Sequence, residues 1–246
     1  IAMSWLVYRL TNSALLLGVV GFTGQIPIFL LAPFAGVLAD RLNRRRILVI
    51  TRALPIIQSF ILAFLTLTGT IAVWHIITLS LLLGLVNAFD MPTRQAFVVE
   101  MVEKREDLGN AIALNSFMFN GARLLGPSIA GIVIAIMGEG MCFLLNGISN
   151  IAVVSALLAM KIAPRKREVQ VALLFQGVKE GFSYSFGFAP IRYILFVVGL
   201  LSLVGMPYSV LMPVFARDIL HGGPSTLGFL MATWGVGALV GAFYLA

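Results

Sequence analysis

The residues of this chain with the most chemistry in them are charges set among apolar runs. Asp40, Arg41, Arg44, Arg45 and Arg46 stand between two long hydrophobic segments. Asp90 and Arg94 lie four apart near the end of another, and Arg123 lies inside a further one. None of these groupings is a nucleophile–base pair or a metal-ligand cluster. His75 and His221 are isolated near turns, and the single cysteine, Cys142, forms no internal disulfide. Gly235, Gly237 and Gly241 mimic a nucleotide loop, but they sit within an apolar run with no strand before it. An enzyme is therefore not expected, and neither is a metal, an ATP site or any other cofactor. Charge in this setting does other work. It holds segment ends in water, ties them together as ion pairs, or meets a solute in a wet cavity.

The composition says what the segments are. Of 246 residues, 60% are hydrophobic and 11% charged, with mean hydropathy +1.01; a soluble domain is about half apolar and about a quarter charged. The apolar runs reach roughly 20 residues, the length of a membrane-crossing helix and too long for barrel strands. The expected class is all-α, a polytopic transmembrane helix bundle in contact with membrane lipid. The net charge of +7 is no nucleic-acid footprint, because the basic residues fall between the spans.

Residues 1–10 read as the second half of a span, followed by a turn at Thr11-Asn12-Ser13. The second span covers 14–39, the third 47–67 with a kink at Pro55, and the fourth starts near Ala72. The fifth runs to Met137, Gly138-Glu139-Gly140 makes a tight turn, and the sixth covers 141–160. The polar connection from Lys161 to Ala189 is long, and 171–186 has apolar residues at helical spacing suited to the membrane surface. A seventh span covers 191–215, and an eighth starts near Thr226. The expected division is 1–162 as a six-helix half, 163–188 as the connecting loop and 189–246 as the start of a second half. Because Ile1 and Ala246 both fall within apolar segments, a fragment of a longer protein is expected.

Orientation follows from basic residues. Arg41, Arg44, Arg45, Arg46, Lys104, Arg105, Lys161, Arg165, Lys166, Arg167 and Lys179 fall on one side, against Arg9 and Arg217 on the other. That bias places the first group in the cytoplasm. Leu17, Gly18, Thr23 and Ala32 also match Leu227, Gly228, Thr233 and Ala242 at one offset of 210, so the second span corresponds to the eighth. Arg123 lies about 12 residues beyond Ala111, roughly 18 Å along a helix and near the middle of a core about 30 Å thick. An arginine there faces a watery cavity or a partner. Gln25, Asn115, Asn120 and Asn146 are polar positions within spans, open to two readings: cavity lining or interhelical hydrogen bonding.

The run from Gly36 through Leu38, Ala39, Asp40 and Arg41 to Arg44 and Arg45 resembles the loop between helices 2 and 3 of major facilitator superfamily transporters, G-x-L-A-D-R-x-G-R-R. Asn43 stands where that pattern has glycine; both residues tolerate left-handed backbone. Gly126, Pro127 and Gly131 resemble the fifth-helix motif of antiporter members. The stretch 87–131, with Phe89-Asp90-Met91-Pro92-Thr93-Arg94 and Arg123-Leu124-Leu125-Gly126-Pro127, is similar to the enterobactin-exporter-like and multidrug-efflux branch. The resemblance implies the second half of helix 1 to helix 8 of a twelve-helix fold in the bacterial inner membrane. It implies a monomeric exporter of small amphipathic molecules such as siderophores or drugs, working by alternating access and proton antiport. It also implies that Gly36, Asp40, Arg41, Arg44, Asp90 and Arg94 form a conformational-switch network, and that Gly126, Pro127 and Gly131 form a bend. The competing class is a non-transporting sensor or assembly protein that kept the fold.

Overall fold

Charged and glycine-rich punctuation decides where each helix starts and stops in the computed structural model, which describes residues 1–102, 105–160 and 183–245. Helix α1 (Ala2–Thr11) ends at Asn12, whose φ of 48° is the left-handed closure that lets its N–H bond Tyr8 O. Ser13 then caps α2 (Ala14–Arg41), its hydroxyl accepting from Leu16 N at 3.3 Å. Helix α3 (Arg44–Leu67) starts on Asn43 and closes through Gly69 at φ 72°. At the start of α4 (Val73–Met101), His75 Nδ1 accepts from Ala72 N at 3.0 Å. That bond gives His75 a structural partner.

A 52-residue helical stretch, Leu108–Ala159, would be about 78 Å long if straight, more than twice the core of a bilayer. Gly138, at φ 81° and ψ 170°, breaks it. We call its arms α5 (108–137) and α6 (139–159). The tight turn expected at Gly138-Glu139-Gly140 is narrower than expected, because Glu139 and Gly140 already belong to α6. Helices α7 (Ala189–Val214) and α8 (Pro224–Leu245) follow, joined through a wide helical turn at Phe215–Ile219. Residues 161–182 and Lys104 lie outside the described residues, so most of the expected surface segment and its basic residues do too; 183–187 is a short helical turn. Among the described residues there is no strand, and five helical stretches are long and apolar enough to cross a membrane, counting the α5–α6 stretch once.

Two further differences from the sequence expectation both shorten the arginine-bearing loop. Helix α2 runs on through Asp40 to Arg41, and Arg44, Arg45 and Arg46 form the first turn of α3. Asn43 is not left-handed: at φ −68° and ψ 103° it is an extended cap, its side chain accepting from Arg46 N at 3.1 Å. A capping asparagine satisfies a donor that a glycine would leave to water.

Taking the arginine-bearing ends as inner, the buried core is gathered at the outer ends. Leu6, Leu17, Ile76 and Leu227 are fully buried and come from α1, α2, α4 and α8. The buried set at the inner ends is small: Leu48, Phe97 and Leu157. Small residues let the helices approach. A Cβ on Gly84 of α4 would strike the Gly24 carbonyl of α2. Gly131 of α5 faces Gly228 of α8, and a Cβ on either would stand 3.0 Å from the other's Cα. A Cβ on Gly126 meets nothing within 4 Å. Gly228→Leu is therefore expected to destabilise the solubilised protein by about 1–3 kcal/mol, the cost of overpacking, whereas Gly126→Ala shifts its thermal midpoint little. Size-exclusion thermal-shift measurements on the two variants check the pair.

Candidate functional site

The inner ends of α3, α4 and α6 are tied by arginines. Three arginines in the first turn of α3 oppose its helix dipole, and the partners of two of them offset that. Arg44 Nη1 donates to Ala96 O at 3.0 Å and reaches Glu100 at 3.4 Å, both on α4. Arg45 donates to Leu157 O at 2.9 Å and Leu158 O at 2.6 Å. Those carbonyls lie in the last turn of α6, where orphan acceptors and the negative dipole end favour a cation. The side chains of Asp40 and Arg41 lie outside the described residues. Gly36 is half-buried within α2, and a Cβ there would meet nothing within 4 Å.

Asp90 and Arg94 share an unbroken α4, since the helix continues through Pro92. They do not pair. Asp90, 4% exposed, accepts from Arg52 Nη2 at 2.5 Å and from Thr51 Oγ1 at 3.0 Å, both on α3. Asp90 is thus buried and paired across helices. Arg94 instead places its guanidinium carbon 5.4 Å from the centre of the Phe119 ring on α5. Arg123, one turn further along α5, lies over the same ring at 5.5 Å and over Trp234 of α8 at 5.7 Å. Backbone contact helps to bring Trp234 there, because a Cβ on neighbouring Gly235 would meet Leu124 Cα at 2.9 Å.

Two cavities open between helices. One of about 320 Å³ is bounded by α1, α2, α4, α7 and α8; Ser4, Gln25, Ser80, Asn87 and Ser209 supply its polar side chains among Met3, Leu17, Ile28 and Met231. The other, about 410 Å³, holds Gln58, Ser59 and Asn146 beside Gly126 and Pro127. Asn146 also donates to Ser59 Oγ at 2.8 Å, so it lines a cavity and bridges α6 to α3 at once. Asn115 is exposed and Asn120 half-buried on the inner half of α5, and neither lines these two cavities. Gly131 packs on α8, as described above.

The outer ends carry a second set of charges. Arg9 Nε meets the buried carboxylate of Glu139 at 2.8 Å. The Tyr8 hydroxyl donates to Asp218, while Arg217 lies over the Tyr8 ring at 5.8 Å. Sequence reasoning placed Arg9, Arg217 and Asp218 at turns without pairing them. It also left Arg52 and Glu100 unassigned. An arginine eight positions into α3 and an acid near the end of α4 are the signal for the Arg52–Asp90 bridge, since each charge inside an apolar run calls for a partner.

Across residues 1–246 the sequence matches the family described as "Transmembrane secretion effector". It is 28% identical over 246 residues to the "Staphyloferrin A transporter" of Staphylococcus aureus, covering 100% of this chain and 62% of that protein. It is 27% identical over 251 residues to the "Multidrug efflux pump Tap" of Mycolicibacterium fortuitum, covering 98% of this chain and 61% of that one. The "Macrolide efflux protein A" of Streptococcus pyogenes is 23% identical over 243 residues, with 96% and 58% covered. The chain spans about three-fifths of the length of these relatives.

The bridge between α3 and α4 has a measurable consequence. Arg52→Gln leaves the buried Asp90 carboxylate with Thr51 alone, and removing one member of a buried pair costs about 3–5 kcal/mol. The double variant Arg52→Gln with Asp90→Asn recovers most of that loss, because no buried charge remains. Thermal midpoints of the two variants, read side by side, check the coupling.

Proposed function

Since the chain belongs to the transmembrane secretion effector family of the major facilitator superfamily and is a multi-pass protein of the bacterial plasma membrane, we propose that it is part of an exporter of small amphipathic molecules. The export works by alternating access, with protons as the coupling ion, in a monomer. The observation that carries the reading is the distribution of packing. Buried side chains of α1, α2, α4, α7 and α8 meet at the outer ends, where Tyr8–Asp218 and Arg9–Glu139 also close. At the inner ends, Ile112, Leu114, Phe117 and Met118 of α5 and Tyr193, Phe196 and Leu201 of α7 are exposed. That distribution supports reading this structure as a conformer closed on the outer side, one of the two states that rocking halves would exchange.

The smaller cavity supports the substrate class. It draws residues from both sides of the proposed division, with Gln25 and Asn87 from one and Ser209 and Met231 from the other. A few polar groups among apolar walls suit an amphipathic solute. The names of the three relatives, a staphyloferrin A transporter and two efflux proteins, point the same way. Proton coupling follows from the family resemblance. Residues 1–162, 163–188 and 189–246 serve in this reading as first half, connector and start of the second half. In this reading the inner-end charges Asp40, Arg41, Arg44 and Asp90, with Gly36, stabilise one conformer against the other, and the small residues Gly126 and Gly131 with Pro127 give α5 a point at which it can bend.

Cells expressing the full-length protein are expected to export members of a panel of anionic, neutral and cationic amphipathic dyes, and a protonophore is expected to abolish that export. An expressing strain that exports none of them overturns the reading. Asp40→Asn is expected to abolish export while leaving membrane insertion intact, and Arg123→Ala to reduce it roughly tenfold, the worth of one charge-assisted contact. Export rates normalised to membrane-inserted protein measure both.

A further inference from the structure

We propose that Arg94 and Arg123, which share the ring of Phe119 and stand beside Trp234, form a binding site for aromatic dianions, a substrate class that rests on reading the chain as an exporter. The argument begins with charge balance. Every other described arginine well inside a span that could burden the bilayer has an answer: Arg52 has Asp90 at 2.5 Å. Arg94 would find its nearest acid one helical turn back, at Asp90, but that carboxylate is already occupied by Arg52 and Thr51. Among the described residues, neither Arg94 nor Arg123 has a carboxylate at ion-pairing distance or a hydrogen-bond acceptor for its guanidinium. What they have is aromatic faces.

A guanidinium over a ring spends its face and leaves its in-plane N–H fork unspent. That fork matches a carboxylate or sulfonate in two parallel hydrogen bonds. The two guanidinium carbons lie within about 11 Å of each other, since each is under 5.6 Å from the Phe119 centre. Two cations inside that limit suit a ligand that carries two anionic groups on one ring system. Phe119 is 44% exposed and Trp234 52% exposed, so both residues keep open surface that such a ring system could meet. Depth adds a direction. Arg94 is seven residues from the inner end of α4, about 10 Å, and Arg123 is fifteen from the start of α5, about 22 Å. A dianion entering from the inner face would meet Arg94 first and Arg123 near the middle of the membrane. A cationic solute meets two like charges and is repelled.

The test uses two xanthene dyes of similar size and opposite charge, fluorescein as a dianion at mildly alkaline pH and tetramethylrhodamine methyl ester as a cation. Fluorescence polarisation with the full-length protein in lipid nanodiscs reads their binding. Fluorescein is expected to bind at least about tenfold more tightly than the rhodamine. Arg94→Gln and Arg123→Gln are each expected to weaken fluorescein by roughly tenfold while leaving the rhodamine unchanged or tighter, and Arg123→Lys to retain part of the preference. Equal or tighter binding of the rhodamine by the unaltered protein overturns the proposal, and that comparison needs no variant to fold. Fluorescein binding that survives both glutamine substitutions overturns it as well. Dye export with cation preference would remove this site and leave the exporter standing; charge-selective binding without any export would do the reverse.

Discussion

A charge placed between apolar helices must be answered, and this requirement organises the molecule. Solvation by water is lost inside the bilayer, so each ion needs an opposite ion, a set of dipoles, an aromatic face or a wet cavity. Arg52 and Asp90 answer each other across α3 and α4, with Thr51 filling a further acceptor position on the carboxylate. Arg45 is answered by two carbonyls at the end of α6. Arg9 answers Glu139 where α6 begins. The bonds of Arg45 and Arg9 join helices that are not neighbours along the chain, and that of Arg52 joins two that are, so the same contacts that make the charges tolerable also help to fix which helices stand together.

Lipid supplies no hydrophobic drive between helices, so contact must come from fit. The fit here is made by absence of side chains: Gly84 against Gly24, Gly131 against Gly228 and Gly235 against Leu124. These close seams bring α8 onto α5, and Trp234 comes with it to Arg123. Local backbone approach and the electrostatic site are thus one arrangement. A larger residue at Gly235 would move the aromatic wall together with the helix.

Much of the fold was legible because its signals are local. Apolar length gave the spans, and Gly36 to Arg46 marked an inner turn. Ser13 and Gly69 behave as their types suggest. Two things were less legible. Boundaries slipped where a helix continued into charged sequence: α2 keeps Asp40 and Arg41, and α3 starts at Arg44 because Asn43 caps it and its arginines find partners elsewhere. Partner choice was the other. Spacing of four put Arg94 on the face of Asp90, and that much holds in α4. The choice between Arg94 and Arg52 depends on how α3 lies against α4, which no spacing within one helix contains. The pairs Tyr8–Asp218 and Arg44–Glu100 are likewise products of packing between distant segments.

The repeat offset of 210 ties these levels together. It was read from Leu17 and Leu227, Gly18 and Gly228, Thr23 and Thr233, and Ala32 and Ala242. In the structure Leu17 and Leu227 are both fully buried in one core. Thr23 bonds back to Val20 O at 3.0 Å and Thr233 to Leu230 O at 2.8 Å, the same bond at the same offset. Leu17 N bonds to Ser13 O and Leu227 N to Gly223 O, again 210 apart. Tyr8 and Asp218 are separated by that number too, and here the two positions touch. Equivalent residues of a parallel repeat can meet only near the axis that relates the copies. The Tyr8–Asp218 bond at the outer ends of α1 and α7 is the contact expected of two such positions beside that axis.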